Sequence, residues 1–458
     1  MIVTLVVPRT HPYGGALVSS TLTDITDVPA EDDAARRRRL RTVVAASLLG
    51  TTIEWYDFFL YATAASLVFS KVFFPDQSSF VGTLLSFATF AVGFVVRPIG
   101  GVVFGHIGDR IGRKRTLAVT MVLMGAATAL MGVLPTAAQI GFLAPVLLLC
   151  LRILQGFALG GEWAGAVLLA VEHSPARRRG LFGSIPQIGL ALGLALGTGV
   201  FAILQVAFDD HDFLVYGWRI AFLLSIVLVV IGFVVRLKVS ETPAFREVAE
   251  LEQKSSAPLR GVVLPPNTRN TVLGLLARWG EGSAFNTWGV FAIAYATGSL
   301  GLPRVPVLVS VTIAALVMAV GLPMSGVLTD RYGPRRIYLI GMIAYAVAVY
   351  PVFALFGTEK LVWFTVGLVI VFGVVHALFY GAQGTLFASL YPTPVRYTGL
   401  SVVYQFSGIY ASGLTPLILT ALIGASGGSP WWAAGYLVAT GLISVAATAA
   451  IRQRDLHL

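Results

Sequence analysis

Apolar stretches of roughly 20 residues recur along most of the chain, separated by short polar segments. That is the length a helix needs to cross the hydrocarbon core of a bilayer. The pattern predicts twelve spans, at about 42–70, 79–104, 116–134, 141–170, 181–207, 218–238, 270–298, 305–328, 337–357, 361–389, 399–424 and 430–451. Prolines inside them (Pro98, Pro186, Pro323, Pro416) are tolerable where neighbouring helices re-satisfy the freed backbone groups. The fold class expected is therefore an all-α membrane protein.

Two segments break the pattern. Residues 1–41 are polar and end in "EDDAARRRRLR", which reads as a disordered cytoplasmic tail. The Arg run looks like the start of a signal peptide, but no small-residue cleavage site follows at the right distance. The second break, 239–269, is one long polar loop in the middle of the chain.

Composition agrees with a membrane setting. Charged residues make up 12% of the chain, about half the share of a soluble protein. The net charge of +10 could point to nucleic acid, but its location decides otherwise. Lys and Arg crowd the tail, the middle loop and the connections on the tail's side, whereas the opposite connections hold only Lys71, Arg304 and Lys360. By the positive-inside rule both termini are cytoplasmic, and no nucleic-acid partner is expected. A lone Cys150 excludes a disulfide framework and any Cys-based metal site.

The chain also repeats itself. A shift of 221 residues lays Gly105, Asp109, Arg110, Gly112, Lys114 and Arg115 onto Gly326, Asp330, Arg331, Gly333, Arg335 and Arg336. A shift of 219 lays "SPARRRGL" onto "TPVRYTGL". This divides the chain into two pseudo-symmetric six-helix halves, 42–238 and 270–451, with 452–458 as a second cytoplasmic tail. Parallel six-helix repeats are the plan of one transporter class, with the substrate site at the midplane between them.

Several motifs are more specific. "GHIGDRIGRK" resembles the signature loop of the major facilitator superfamily. "GTTIEWYDFFLY", "FATFAVGFVVRPIGG", "RILQGFALGGEW", "EHSPARRRG" and "VRYTGLSVVYQ" resemble its metabolite:proton symporters, the branch of proline/betaine, shikimate, citrate and 2-oxoglutarate permeases. The resemblance covers almost everything after residue 42 and implies the major facilitator fold. It departs from the branch at Ser389, where an acid is expected before "YPTPVRYTG", at Pro334 in the second signature and at Ala164 after Trp163.

In the signature loop, Gly105 and Gly112 would allow tight turns, and Asp109 could accept hydrogen bonds at a helix N-terminus. The resemblance implies that Asp109, Arg110, Arg113, Asp330, Arg331 and Arg396 latch the halves on the cytoplasmic side. Charges inside spans cost roughly 2.5–3.5 kcal/mol each on insertion scales and are functional by default. Glu54 and Asp57 lie three apart on one face of the first span, and Arg152 lies deep in the fourth. The resemblance implies that Asp57 takes the proton with Arg152 as counter-charge, and Glu54 is the alternative acceptor. Polar residues punctuate other spans: Gln187, Arg278, Glu281, Asn286, His376, Tyr380, Gln383, Tyr404 and Gln405. Interhelical bonding suits each of them as well as ligand contact does. Arg278 would bind a carboxylate bidentately, and Tyr61, Trp163 and Trp288 would cage a quaternary ammonium. The glycines at 189, 193 and 197 read as a packing ladder.

The expected function is proton-coupled import of a small polar metabolite, either an organic acid or a zwitterionic osmolyte, across a bacterial cytoplasmic membrane by a monomer. The alternatives are a drug:proton antiporter, whose fifth-span Gly-Pro element is missing here, and an uncoupled facilitator. No HExxH, P-loop or elbow-type Ser is present, so neither an enzyme nor a cofactor is expected.

Overall fold

The computed structural model describes residues 33–111, 113–161, 163–172, 174–238 and 258–457. Every regular element among the described residues is helical. The main helices are α1 (Asp33–Leu67), α2 (Ser79–Ile111), α3 (Arg113–Gly132), α4 (Leu143–Ala158), α5 (Trp163–Glu172), α6 (Arg179–Ala207) and α7 (Trp218–Lys238). After the middle segment come α8 (Thr268–Asn286), α9 (Arg304–Tyr332), α10 (Pro334–Phe356), α11 (Leu361–Ser389), α12 (Thr393–Ala425) and α13 (Trp431–Ala450). Helix α1 starts earlier than residue 42, so 33–41 are helical rather than disordered.

Eight helices among the described residues are long and apolar enough to cross a membrane, and two shorter apolar ones, Ala118–Gly132 and Leu143–Ala158, accompany them. Helices α1 and α8 are more polar because they carry Glu54 and Asp57, and Arg278 and Glu281. Large apolar side chains such as Val102, Val206, Val320 and Val347 face outward. Polar groups such as Asp57, Arg152, Gln155 and Gln383 are buried inside. This inversion fits a lipid exterior.

Residues from Thr42 onward form one unit, whose centre is where the elements before residue 239 meet those after residue 257. The glycine ladder packs as expected: Gly189, Gly193 and Gly197 of α6 face Thr51, Trp55 and Phe59 of α1. Helix α6 also runs along α9, from Gly180 against Gly326 at one end to a Thr198–Thr312 hydroxyl pair at 2.7 Å farther along. Gly105 lies inside α2, not at a turn. Its repeat partner Gly326 is likewise helical, and its lack of a Cβ admits the α6 backbone. The turn glycine of the second signature is Gly333, at φ +87°. Gly112 lies outside the described residues.

Candidate functional site

At the centre, α1, α2 and α6 meet α8 and α12 around two small cavities with about 10 and 30 Å³ of room for water. One water needs about 10–15 Å³, so the centre is closed around a few waters at most. Trp55, Arg97 and Tyr404 line both cavities. Glu54, Phe58 and Gln405 line one, and Arg278, Glu281, Phe285 and Asn286 line the other.

The cations divide into two kinds. Arg278 is ion-paired: Nε lies 3.2 Å from Glu281 Oε2, outside hydrogen-bonding geometry, Nη1 donates to Ser407 Oγ at 2.9 Å and to the Tyr404 carbonyl at 3.3 Å, and the guanidinium sits 3.8 Å from the Tyr404 ring centre. Gln383 faces Glu281, and Tyr380 faces Tyr404. Arg97 is 6% exposed and has no ion-pair partner among the described residues. Its guanidinium lies 4.3 Å from the Phe94 ring centre and 4.9 Å from that of Phe58, and its Nε has no acceptor.

Asp57 and Arg152 are not in direct contact. Arg152 donates to Gln155 Oε1 and, at 3.4 Å, to the Phe90 carbonyl, and stacks 4.2 Å from the Tyr61 ring centre. Gly93 leaves the room: a Cβ there would lie 2.5 Å from Arg152 Nε. Gln155 in turn donates to Thr128 Oγ1 at 2.8 Å, and Thr128 and Ser225 are the hydroxyls facing Asp57. Two neutral side chains thus stand between acid and cation. Neither Asp57 oxygen meets a donor in hydrogen-bonding geometry, and the residue is wholly buried.

Contacts between the two portions close both ends of the central space. At the end bearing the signature loops, Asp330 accepts from the N–H groups of Gly180 (2.6 Å) and Leu181 (3.0 Å) in the first turn of α6. This is the helix-terminus role expected of its repeat partner Asp109. Arg396 pairs with Glu172 at 2.6 Å, and its backbone neighbour in space is the chain's end, whose His457 N–H donates to the Ser389 carbonyl. Gln405 donates to the Gly160 carbonyl at 2.6 Å. At the opposite end, Ser66 reaches the Val290 carbonyl at 3.2 Å and Arg304 pairs with Asp210 at 3.2 Å.

Other expected residues lie elsewhere. Tyr61 donates to Thr89 Oγ1 at 2.7 Å, and Trp288 packs on Phe353 and Phe356, so these two do not assemble a cage at the cavity. His376 sits among Phe285, Phe372, Phe379 and Tyr380, which is a packing position. Gln187 is buried beside Gly384, where α6 meets α11. Arg331 stacks on Tyr332. The side chains of Trp163, Asp109, Arg110 and Arg113 lie outside the described residues. The sequence reading missed Arg97, Gln155, Thr128 and Glu172. Of these Arg97 carried a signal, as a lone cation within an apolar run.

The family model described as Major Facilitator Superfamily matches residues 47–412 and 281–455. The inner membrane metabolite transport protein YhjE of Escherichia coli (strain K12) is 40% identical over 82% of this chain and 86% of its own length. The shikimate transporter of the same strain is 37% identical over 89% of this chain and 93% of its own length. A crystal structure of a D-xylose-proton symporter superposes with a TM-score of 0.70 at 17% identity, covering 91% of this chain and 98% of that one.

Proposed function

The chain belongs to the Major Facilitator Superfamily, a multi-pass membrane protein, and from that premise we propose that it is a proton-coupled symporter importing a small organic acid. Twelve spans form two six-helix halves, 42–238 and 270–451, joined by the loop 239–269 and flanked by the tails 1–41 and 452–458. Both termini and the signature loops face the cytoplasm. The observation that carries the reading is the central cavity, lined from both portions, enclosing charged side chains and sealed at both ends. A site reached from alternate sides as two halves rock has this form. The likeness to a shikimate transporter supports an organic acid as cargo.

Asp57, with Glu54 as the alternative, takes the proton. Its occupancy is relayed to Arg152 through Thr128 and Gln155, so protonation and the arrangement of the cavity wall are linked. One proton moving inward gains about 2.3 kcal/mol per 100 mV and about 1.4 kcal/mol per pH unit. Together these support roughly a 500-fold gradient of a neutral solute.

The test is uptake of labelled shikimate by proteoliposomes under an imposed inward proton gradient, in wild type, Asp57→Asn and Glu54→Gln. Accumulation that Asp57→Asn abolishes while downhill exchange persists supports the reading. Accumulation intact in Asp57→Asn but lost in Glu54→Gln moves the proton to Glu54. Accumulation indifferent to the gradient refutes coupling.

A further inference from the structure

The cavity holds two lining cations in unlike states, and the difference identifies the ligand's chemistry. Arg278 has its charge met by Glu281, and its Nη1 donates to Ser407 and the Tyr404 carbonyl. A carboxylate arriving there would have to displace an ion pair that is 4% and 2% exposed, and breaking a buried pair is expensive. Arg97, by contrast, has no carboxylate within ion-pairing distance among the described residues; it is held against the faces of Phe58 and Phe94, and its buried Nε has no acceptor. Stacking of this kind orients a guanidinium without using its hydrogen-bonding capacity. Arg152 and Arg278 repel Arg97, while the Glu54 carboxylate, which lines one of the cavities with it, attracts it, so the demand for an anion stands on the geometry of its stacked guanidinium.

One further group on the same cavity is unsatisfied. Asn286 donates through Nδ2 to the Gly282 carbonyl at 3.3 Å, which fixes its orientation and leaves Oδ1 buried without a donor. A buried acceptor of this kind costs free energy until a donor arrives.

We propose that Arg97 anchors the substrate's carboxylate and that Asn286 Oδ1 accepts from a hydroxyl on its uncharged body, so that the transported class is hydroxylated monocarboxylates. This deepens the transport reading above and rests on it. A dicarboxylate would bring a second anion to a cavity whose other lining cation is already neutralised. A quaternary ammonium zwitterion has no N–H or O–H for Asn286, and its cation would sit beside Arg97. The aromatic walls, Trp55 and Phe285, supply apolar faces for the carbon skeleton between the two polar ends.

Equilibrium binding to the purified full chain in lipid nanodiscs tests this without a proton gradient. The probes are shikimate, its methyl ester, cyclohexanecarboxylate, 2-oxoglutarate and glycine betaine. Wild type binds shikimate at least about 10-fold more tightly than the ester, as a charge-assisted hydrogen bond requires. Arg97→Gln weakens shikimate by about 10- to 100-fold and leaves the ester unchanged, so the preference disappears. Arg97→Lys keeps part of it, and Asn286→Ala weakens shikimate but not cyclohexanecarboxylate. The inference is overturned if Arg97→Gln retains the acid-over-ester preference. It is equally overturned if wild type prefers the ester, 2-oxoglutarate or betaine to shikimate, or binds neither monocarboxylate. The wild-type comparison stands even where a variant misfolds. Acid preference without gradient-driven accumulation would sink the symport reading and leave the anchor standing. Accumulation of a cargo lacking a carboxylate would sink the anchor and leave symport.

Discussion

The Asp330 contact gives the sharpest prediction about conformational switching. Its carboxylate bridges two N–H groups, at 2.6 and 3.0 Å, in the first turn of α6, across the boundary between the two portions of the chain. A hydrogen bond to a charged acceptor is worth about 1.5–3 kcal/mol. Asp330 is only half-buried, so about 1–1.5 kcal/mol per bond is the appropriate share, part of it from the helix dipole. Asp330→Asn keeps one carbonyl acceptor and should shift the closed-to-open ratio at this end by about 10-fold. Asp330→Ala removes both bonds, about 2–3 kcal/mol, and should shift it by about 30- to 150-fold. The reporter is Ser184→Cys in a Cys150→Ala background. Ser184 is fully buried, behind the Gly180–Gly326 contact. A maleimide reaches it only when this end opens, so its labelling rate tracks the open fraction. Rates should rise in the order wild type, Asp330→Asn, Asp330→Ala. A folded Asp330→Ala protein labelled at the wild-type rate would refute the idea that this contact holds the end shut.

Gly326→Val should act in the same direction and more strongly, because its Cβ would lie 2.5 Å from Ser184 Oγ and 2.8 Å from the Gly180 carbonyl. The closed state is then sterically excluded, and substrate exchange in proteoliposomes should fall at least about 100-fold. Gln155→Leu strands one Arg152 N–H and removes the donor to Thr128. It should cost about 1–3 kcal/mol of stability, read as a lowered Tm, and flatten the pH profile of uptake. A wild-type pH profile would remove Gln155 from the relay. Phe58→Leu should change shikimate affinity only a few-fold while lowering gradient-driven accumulation relative to exchange. Equal loss of both would show that the ring serves binding alone.

Much of the fold was legible because bilayer physics leaves few choices. Apolar blocks of span length mark the helices, and the internal repeat aligned Gly105 with Gly326 and Asp109 with Asp330. What the sequence could not convey was which atoms meet. Gly105 reads as a turn residue from its neighbours, yet its partner Gly326 is helical and small because another backbone passes over it. The family resemblance implies that Asp57 and Arg152 pair. The intervening Gln155 and Thr128 are ordinary polar residues whose role exists only once α3 and α4 pack together. Arg278 looked like a free guanidinium until Glu281, three residues on, turned out to hold it. Arg97 is legible within "FVVRPIGG" as a lone charge in an apolar run, but that it lines the cavity depends on how α2 packs against α8 and α12.

The arrangement of the three central guanidinium groups explains how events at the cavity could reach Asp57. Buried cations are usually compensated by acids, as Arg396 is by Glu172, yet of these three only Arg278 is paired in that way. Arg97 and Arg152 are instead held against aromatic rings and share one of them. The Phe58 ring lies 4.9 Å from the Arg97 guanidinium and 5.4 Å from that of Arg152. A cation–π contact contributes about 0.5–2 kcal/mol, much less than a buried ion pair, so Arg97 can shift without a large barrier, whereas Arg152 is also held by Gln155 and the Phe90 carbonyl. An anion drawing Arg97 toward the cavity would loosen its hold on Phe58, whose backbone neighbour is Asp57. Arg152 feels the same ring from the other side, and Gln155 ties it to Thr128, which donates to the Met124 carbonyl and faces the Asp57 carboxyl without a hydrogen bond to it. A salt bridge in place of Phe58 would hold the cations more firmly and would transmit less.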